Sequence, residues 1–261
     1  MFGCFPGCIW NGGGTDFRKP TSKRIMINVI RFFNEELNLP LRFTFTNPMI
    51  QEKHLNDTYG NLIAELGHNG KNEILTSSRI LENYLRERYP NYKYCSSIIG
   101  THTMPYGDLN KYDLVVMSRK MNINWDFLNG IPLEHRHKIE FLCNDPCPDD
   151  CPRIYSHYRD LGRAQLEFNP DADNLKCSMG HIRGQFPALY TKTLKTYISR
   201  EKILNDYLPK GFYQFKLSGR NSPENITLDM LEYFVQPDYR PDLMRIFIEP
   251  YLQDYEDNPP Y

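Results

Sequence analysis

The sequence predicts a single (β/α)8 TIM-like barrel of the α/β class, because eight short apolar or β-branched segments alternate with helical patterns and turn residues. A chain of 261 residues is long enough for one such core. No low-complexity linker divides it, so we expect one domain over 1–261. An irregular or incomplete barrel, or a doubly wound parallel sheet, is the structural alternative.

Eight segments fit the strand pattern and are separated by turn residues. The segment 113–118, with sequence DLVVMS, is the most apolar and predicts a fully buried parallel strand. The predicted strands are 2–5, 42–47, 73–78, 93–99, 113–118, 138–144, 187–192 and 212–219.

Helical patterns fill the intervals between these strands. Apolar residues recur at helical spacing over 21–37 and 55–66, and the second pattern stops at Gly67. After the last predicted strand, Ser222 as N-cap and Pro223 at the first helical position indicate another helix. The acidic, proline-containing segment 252–261 predicts a frayed tail.

Charge and composition exclude several classes of protein. The 31 basic and 32 acidic residues leave a net charge of −1, so no global field gathers nucleic acid or an anionic membrane. No apolar run approaches the roughly 20 residues of a membrane span. The first ten residues lack the basic and apolar regions of a signal peptide, and the cysteine count of seven is odd. We therefore expect a soluble protein of the reducing cytoplasm.

Cysteines provide the strongest functional signal. Cys143, Cys147 and Cys151 follow one another at three-residue gaps, and Cys177 comes after a further 25 residues, which marks a cysteine-rich insertion at about 143–186. Four thiolates are typical of an iron–sulfur cluster or of zinc. The spacing differs from the Cys-x2-Cys of zinc ribbons and from the Cys-x3-Cys-x2-Cys of radical S-adenosylmethionine enzymes. Unligated buried cysteines remain the alternative.

The segment around Cys151 predicts a loop followed by a helix. Pro146, Pro148 and Pro152 would break a helix running through the cysteines, so the cysteines belong to a turn-rich loop. Pro152 then fits the first position of a helix over 152–168, which places Cys151 at a helix N-terminus. The helix dipole there favours the thiolate form of cysteine.

The carboxyl ends of the strands are the expected location of the active site, as in other barrels. Such a rim suits a small polar or anionic ligand, although serine, threonine and asparagine there also start turns and cap helices. Nearby, His157 and His181 are candidates for metal ligation or acid–base catalysis and equally for ordinary structural histidines. The residues at the strand ends are Cys4, Cys8, Trp10, Asn11, Thr46, Asn47, Ser77, Ser78, Ser97, Ser118, Arg119, Cys143, Asn144, Lys192, Lys216, Ser218 and Arg220.

Two segments resemble a known family. KIEFLCNDPCPDDCPRIYSHY at 138–158 and YISREKILNDYLPKGFYQFKLSGR at 197–220 are similar to the cysteine-bearing strand and the late strand-and-arginine segment of the collagenase-like peptidase family, peptidase family U thirty-two. The resemblance is closer to its small microbial and phage-associated barrel members.

The resemblance implies a TIM-like barrel. It also implies a 4Fe-4S cluster of the kind that serves oxygen-independent hydroxylation of RNA bases or ubiquinone precursors in relatives. Carried over by motif, the ligands are Cys147, Cys151 and Cys177, with Cys143 as the fourth, and Arg220 is the rim arginine. Protease activity is not expected, because no serine or cysteine nucleophile with a base and an orienting group is recognisable.

The leading hypothesis is a cytoplasmic barrel enzyme that carries an iron–sulfur cluster and modifies a small molecule or nucleobase by hydroxylation-like redox chemistry. Arg220, Arg119 and Lys216 would hold an anionic group, Asn47 would belong to the catalytic rim, and an electron donor would be a partner. One alternative is a non-catalytic binding module with a structural Zn(Cys)4 site, and another is an atypical radical enzyme. A nucleic-acid partner and the oligomeric state are left open.

Overall fold

A computed structural model of the protein describes residues 1–12, 19–99, 109–145, 147, 151–169, 194–218 and 234. Within them, seven strands form one sheet in which all neighbours are parallel. The strands are β1 (Phe2–Gly3), β2 (Arg42–Phe45), β3 (Glu73–Thr76), β4 (Lys93–Ser96), β5 (Leu114–Val116), β6 (Ile139–Leu142) and β7 (Gln214–Lys216).

Helices are described in every crossover except the one between β4 and β5, and several of them begin at recognisable caps. The side chains of Ser22, Asp57 and Ser78 each accept a hydrogen bond from a backbone N–H of the helix that follows. The predicted helices over 21–37 and 55–66 are confirmed. The helix predicted over 152–168 is also present, but it begins at Ile154 with Arg153 at the N-cap, so Pro152 lies in the preceding turn and not at the first helical position. The helices are α1 (Lys23–Arg31, continued by a π-helical turn Phe32–Glu36), α2 (Thr58–Leu66), α3 (Arg79–Arg88), α4 (Trp125–Gly130), α5 (Leu133–Arg136), α6 (Ile154–Leu166) and α7 (Arg200–Lys202, continued by a π-helical turn Ile203–Tyr207).

The strand order follows the chain order from β1 to β7. Sequential parallel strands joined by crossovers wind in one direction, as in a barrel, whereas a doubly wound sheet reverses its order at a switch point. The doubly wound alternative is therefore wrong for the described sheet. An α/β fold with a curled, incomplete barrel is what the structure shows.

The seventh predicted strand, at 187–192, is not among the strands that the structure describes, whereas the eighth, at 212–219, contains β7. The segment 187–192 and the predicted helix after Ser222 lie outside the described residues. In the sheet, β6 pairs directly with β7, with Glu140 opposite Gln214 and Leu142 opposite Lys216. This direct pairing leaves no place for another strand between β6 and β7.

Side chains alternate between the two faces of the sheet, as the pleat requires. On the convex face, Phe43 and Phe45 pack into one buried apolar cluster with residues of α1, α2 and α3, and Phe141 packs into a second cluster with Tyr207 and Phe212. The concave face holds a smaller apolar cluster beside a set of buried polar and charged side chains. That smaller cluster contains Leu75, Cys95, Leu114 and Val116.

An ion pair crosses the concave face. The guanidinium of Arg42 on β2 lies 2.6 Å from the carboxylate of Glu73 on β3 and 2.7 Å from that of Glu140 on β6. Four strand spacings separate β2 from β6, which is roughly 19 Å in a flat sheet. Two side chains can bridge that span only if the sheet curls strongly around them.

The two edge strands also approach each other through side chains. The ammonium of Lys216 on β7 lies 3.7 Å from the ring centroid of Phe2 on β1. This is a close cation–π contact. The curl therefore continues to both ends of the described sheet. In the part of the chain that the structure describes, no helix has both the length and the apolar character that crossing a membrane requires.

Replacing Arg42 by alanine should lower the free energy of unfolding by roughly 3–5 kcal/mol, because the buried carboxylate of Glu140 and the half-buried carboxylate of Glu73 would lose their shared cation. Arg31→Ala is the matched control, since Arg31 pairs with Glu35 on an exposed helix surface, and it should change stability by about 0.5 kcal/mol or less. Urea denaturation measures both. Equal losses in the two variants would contradict a structural role for the pair across the sheet.

Candidate functional site

A cavity of about 250 Å³ lies on the concave face of the sheet at the carboxyl ends of the strands. The wall on the side of the sheet includes strand residues Thr44, Leu75, Leu142 and Lys216. Ser97 and Ser218, which follow β4 and β7, form part of the rim. The structure therefore brings the rim residues Thr46, Ser97, Lys216 and Ser218, which the sequence predicts, to one cavity.

The roof of the cavity is formed by α6. Ile154, His157, Tyr158 and Leu161 face the cavity, and their spacing of i, i+3, i+4 and i+7 is one face of a helix. Tyr158 was missed by the sequence reasoning. The same helical spacing that links it to His157 is the signal that could have found it.

Asn47 fixes α6 to the sheet. Its side-chain amide donates to the carbonyl of Ile9 at 2.9 Å and to that of Gly162 in α6 at 3.0 Å, and its Oδ1 accepts from the N–H of Met49. Asn47 is fully buried. Because its amide is engaged by backbone groups, Asn47 acts as a positioning residue for α6. The hypothesis that gave it a place on the catalytic rim has no support in this geometry.

A second hydrogen bond joins α6 to the loop after β1. The side-chain amide of Gln165 donates to the carbonyl of Cys8 at 3.1 Å. Gly162 is itself the acceptor in the first contact, and a Cβ there would clash with Oδ1 of Asn47 and press on the ring of Pro48. The close approach of α6 to the sheet therefore depends on glycine at this position.

Arg119 forms a buried ion pair behind the roof. The side chain lies just after β5 and is 2% exposed, and its Nη2 is 2.7 Å from Oδ2 of Asp145. The same nitrogen donates to the hydroxyl of Tyr158 at 3.3 Å. Oδ1 of Asp145 accepts from the backbone N–H of Cys147 at 3.0 Å. Asp145, which the sequence reasoning also missed, thus connects the arginine to the cysteine loop.

The electrostatics of this group keep Arg119 charged. Burial alone would lower the pKa of Arg119, but Asp145, Tyr158 and Cys147 together raise it above its usual value. Burial raises the pKa of Tyr158, so its hydroxyl stays protonated and can accept from the arginine. Nε and Nη1 of Arg119 have no hydrogen-bond partner among the described residues. A buried cation with unused donors favours negative charge nearby.

Two of the predicted ligands lie on the cavity and one does not. Cys147 and Cys151 line the cavity and are partly exposed. Cys143 is fully buried in the convex-face cluster with Phe141 and Tyr207. Leu142 faces the cavity, and alternation along the strand sends the next side chain, that of Cys143, to the opposite face.

The four-cysteine ligand set therefore does not fit the placement of Cys143. Cys177 and the rim residues Lys192 and Arg220 lie outside the described residues, as does His181. Among the residues that are described, no group of three or more His, Cys, Asp or Glu side chains is arranged to hold a metal ion. A metal or cluster on this cavity would draw on Cys147 and Cys151 and need further ligands.

Comparisons with models of protein families, with curated proteins and with solved structures give no match for this chain. The resemblance to the collagenase-like peptidase family therefore stays a prediction from the two quoted segments.

Gly162→Ala should destabilise the protein by roughly 1–3 kcal/mol, because the new methyl group would displace Asn47 or push α6 away from the sheet. Gly130→Ala is the matched control, since a Cβ at the end of α4 would meet no atom within 4 Å. Thermal unfolding of both variants measures the difference. A Gly162→Ala protein as stable as the control would show that α6 does not pack as described.

Thiol labelling should separate four of the described cysteines by burial. Burial raises the pKa of Cys143 to about 12 and also raises that of Cys95, so neither supplies a thiolate near pH 8. In chelator-treated native protein, iodoacetamide should modify Cys147 and Cys151 and leave Cys95 and Cys143 unmodified until denaturant is added. Peptide mass spectrometry measures the sites. Labelling of native Cys143 as rapid as that of Cys147 would contradict its placement in the core.

Proposed function

We propose that this chain is a barrel enzyme that binds a small polar or anionic molecule in the cavity and carries an iron–sulfur cluster on the cavity wall. Cys147, Cys151 and Cys177 would hold the cluster. The observation that supports this most is the convergence of Cys147 and Cys151 with Lys216 on one cavity at the carboxyl ends of parallel strands.

The surroundings of Cys147 support a thiolate ligand there. Cys147 lies close enough to the buried guanidinium of Arg119 to raise the pKa of Arg119. The backbone N–H of Cys147 donates to the carboxylate of Asp145. A permanent buried cation stabilises thiolate charge in the same way that it stabilises a carboxylate. The structural alternative, an inert buried thiol, describes Cys143 and not Cys147.

A ligand set without Cys143 has a chemical consequence. Three cysteines on a four-iron cluster leave one iron with a position for substrate, whereas four suit electron transfer or a structural role. When bound, such a cluster supplies one-electron redox chemistry at the cavity wall, with an external electron donor as partner. Hydroxylation-like modification of a small molecule or a nucleobase is the reaction class that we propose.

The protein's own residues would bind and orient the substrate. On the sheet side of the cavity, Lys216 would supply positive charge, and Leu75 and Leu142 would provide apolar contact. The face of α6 above them, with His157 and Tyr158, covers the cavity and limits the access of water. Asn47 and Arg119 would contribute indirectly, without contacting the substrate. Asn47 positions α6, and Arg119 holds the cysteine loop through its ion pair with Asp145.

A structural zinc site is the second candidate. His157 lines the same cavity as Cys147 and Cys151, and imidazole together with thiolates is a common zinc ligand set. The protein would then be a binding module that uses the cavity without redox chemistry.

Metal analysis of anaerobically purified protein tests the proposal. Iron and acid-labile sulfide should be near-stoichiometric, and Cys147→Ser and Cys151→Ser should each lose most of both, because each removes a ligand. Cys143→Ala is the matched control and should retain them, since Cys143 packs in the convex-face core. Zinc without iron would favour the second candidate. Full metal content in both serine variants would overturn the assignment of these ligands.

A further inference from the structure

An unpaired hydroxyl lies on the sheet side of the cavity. Thr44 on β2 is 2% exposed, and its Oγ1 has no hydrogen-bond partner among the described residues. Phe43 and Phe45 on either side of it pack into the convex-face core, so the pleat directs Thr44 to the concave face, where it lines the cavity. Of the cavity-lining side chains that the structure describes, Thr44 is the one with a buried polar atom that lacks a partner.

A hydroxyl in this position is unfavourable unless a bound molecule pairs it. A buried polar group without a hydrogen bond has lost its contact with water, and nearly all buried polar groups in folded proteins are paired. The hydroxyl of threonine has one proton to donate. An oxygen of a ligand that faces Thr44 would accept this proton. The unpaired hydroxyl therefore marks a place where a ligand presents a hydrogen-bonding group.

Two cations near Thr44 are engaged elsewhere. Arg42, two residues earlier on the same face, already serves carboxylates on β3 and β6. The ammonium of Lys216 lies over the ring of Phe2, and Phe2 is in register with Arg42 rather than with Thr44. A charged ligand group against Thr44 would therefore be buried without a counter-charge, which is strongly unfavourable. The group that pairs with Thr44 should be uncharged.

Aliphatic side chains surround the space that Thr44 faces. Leu75 is in register with Thr44 on the neighbouring strand, and Leu142 lines the cavity from β6. Ile154 and Leu161 of α6 line it from the roof. The cavity measures about 250 Å³, and an apolar cavity of ~150 Å³ is enough to hold benzene. The space therefore accommodates one six-membered ring with a short substituent and buries it against apolar surface.

We propose that the cavity binds a small ring compound through an uncharged oxygen, a carbonyl or a hydroxyl, that accepts the hydrogen bond of Thr44. The ring packs against Leu75 on the sheet and Leu161 in the roof. This inference deepens the proposed function and rests on it in one respect, because it takes the cavity to be the substrate site. It assigns an uncharged group to the end of the substrate that lies against Thr44, so any anionic group of the same molecule lies away from Thr44.

Binding of three probes tests the chemistry of the ligand. Acetophenone has a ring and a carbonyl, ethylbenzene has nearly the same shape without the oxygen, and benzoate carries a charged carboxylate instead. Ligand-observed NMR titrations of the anaerobically purified full chain give the three dissociation constants. Acetophenone should bind about fivefold or more tightly than benzoate, because the carboxylate would be buried without a counter-charge. Benzoate binding as tight as that of acetophenone would overturn the uncharged group.

Thr44→Val tests the hydrogen bond, because valine keeps the shape and removes the hydroxyl. The variant should weaken acetophenone binding about three- to tenfold, as expected for one lost hydrogen bond, and leave ethylbenzene binding within about twofold. Thr44→Ser keeps the hydroxyl and should retain acetophenone binding. Thr58→Val is the matched control, since Thr58 is exposed at the start of α2 and does not line the cavity. Unchanged acetophenone affinity in Thr44→Val would overturn the inference.

Thermal unfolding of Thr44→Val separates recognition from misfolding. The variant should unfold at the wild-type temperature or above it, because valine suits a strand and removes an unpaired buried hydroxyl. A clear loss of stability would show that the hydroxyl already has a partner inside the protein, and this result would also overturn the inference.

Leu161→Ala tests the contact between the ring and the roof. This variant should weaken acetophenone and ethylbenzene by a similar factor of about three or more, because both probes lose the same apolar contact. Unchanged affinity for both probes would show that the ring does not pack under α6 and would overturn its placement.

The two proposals fail in different ways. If Cys147→Ser loses iron and still binds acetophenone, the ring site stands independently of the cluster. If the wild-type protein contains the cluster and binds none of the probes, the inference is overturned while the cluster assignment stands. Equal weakening of acetophenone and ethylbenzene by Thr44→Val would also overturn it, since only acetophenone can accept the hydrogen bond.

Discussion

Arg42 is the residue on which the shape of the sheet depends. It holds a carboxylate on the next strand and another four strands away, both within 2.7 Å. A buried ion pair of this kind need not add net stability, since an apolar replacement of matching volume is often as stable. What the pair specifies is geometry: it is satisfied only when β2 and β6 face each other. The concave space above it, and therefore the cavity, follows from that curvature.

The polar side chains on the concave face differ in whether they are paired with one another. In the lower layer, Arg42, Glu73 and Glu140 satisfy one another. Two residues further along β2, Thr44 lines the cavity, and its Oγ1 has no hydrogen-bond partner among the described residues. Polar residues buried in a barrel are costly unless something pairs with them. The internally paired charges thus belong to the structure of the sheet, whereas the hydroxyl of Thr44 is the kind of group that a molecule in the cavity would pair.

Local patterns predicted much of this fold, because strand and helix periods are local properties. The parallel strands and the helix after Pro152 followed from alternation, helical spacing and caps. Contacts between residues far apart in the sequence could not be predicted from these local patterns. The three-residue gap from Cys143 to Cys147 suggests one ligand set, yet Cys143 ends a strand whose pleat turns it to the convex face. Because side chains alternate between the two faces along β6, Leu142 on the concave face already implies that Cys143 points to the convex face, away from Cys147. The bridge from Arg42 to Glu140, across 98 residues, leaves no local trace.

The burial of Arg119 is hard to account for unless negative charge resides at the cysteine loop. Among the described residues its guanidinium has one carboxylate partner, Asp145, and that carboxylate also accepts from the backbone of Cys147. Two further donor nitrogens of the arginine find no partner among the described residues. Removing such a group from water costs several kcal/mol, which a single carboxylate offsets only in part. Cys147 is one of the groups that raise the pKa of Arg119. Under the proposed function, the negative charge of a metal-bound sulfur at Cys147 would stabilise the buried cation further, which is a physical reason for an arginine to be buried beside the cysteine loop.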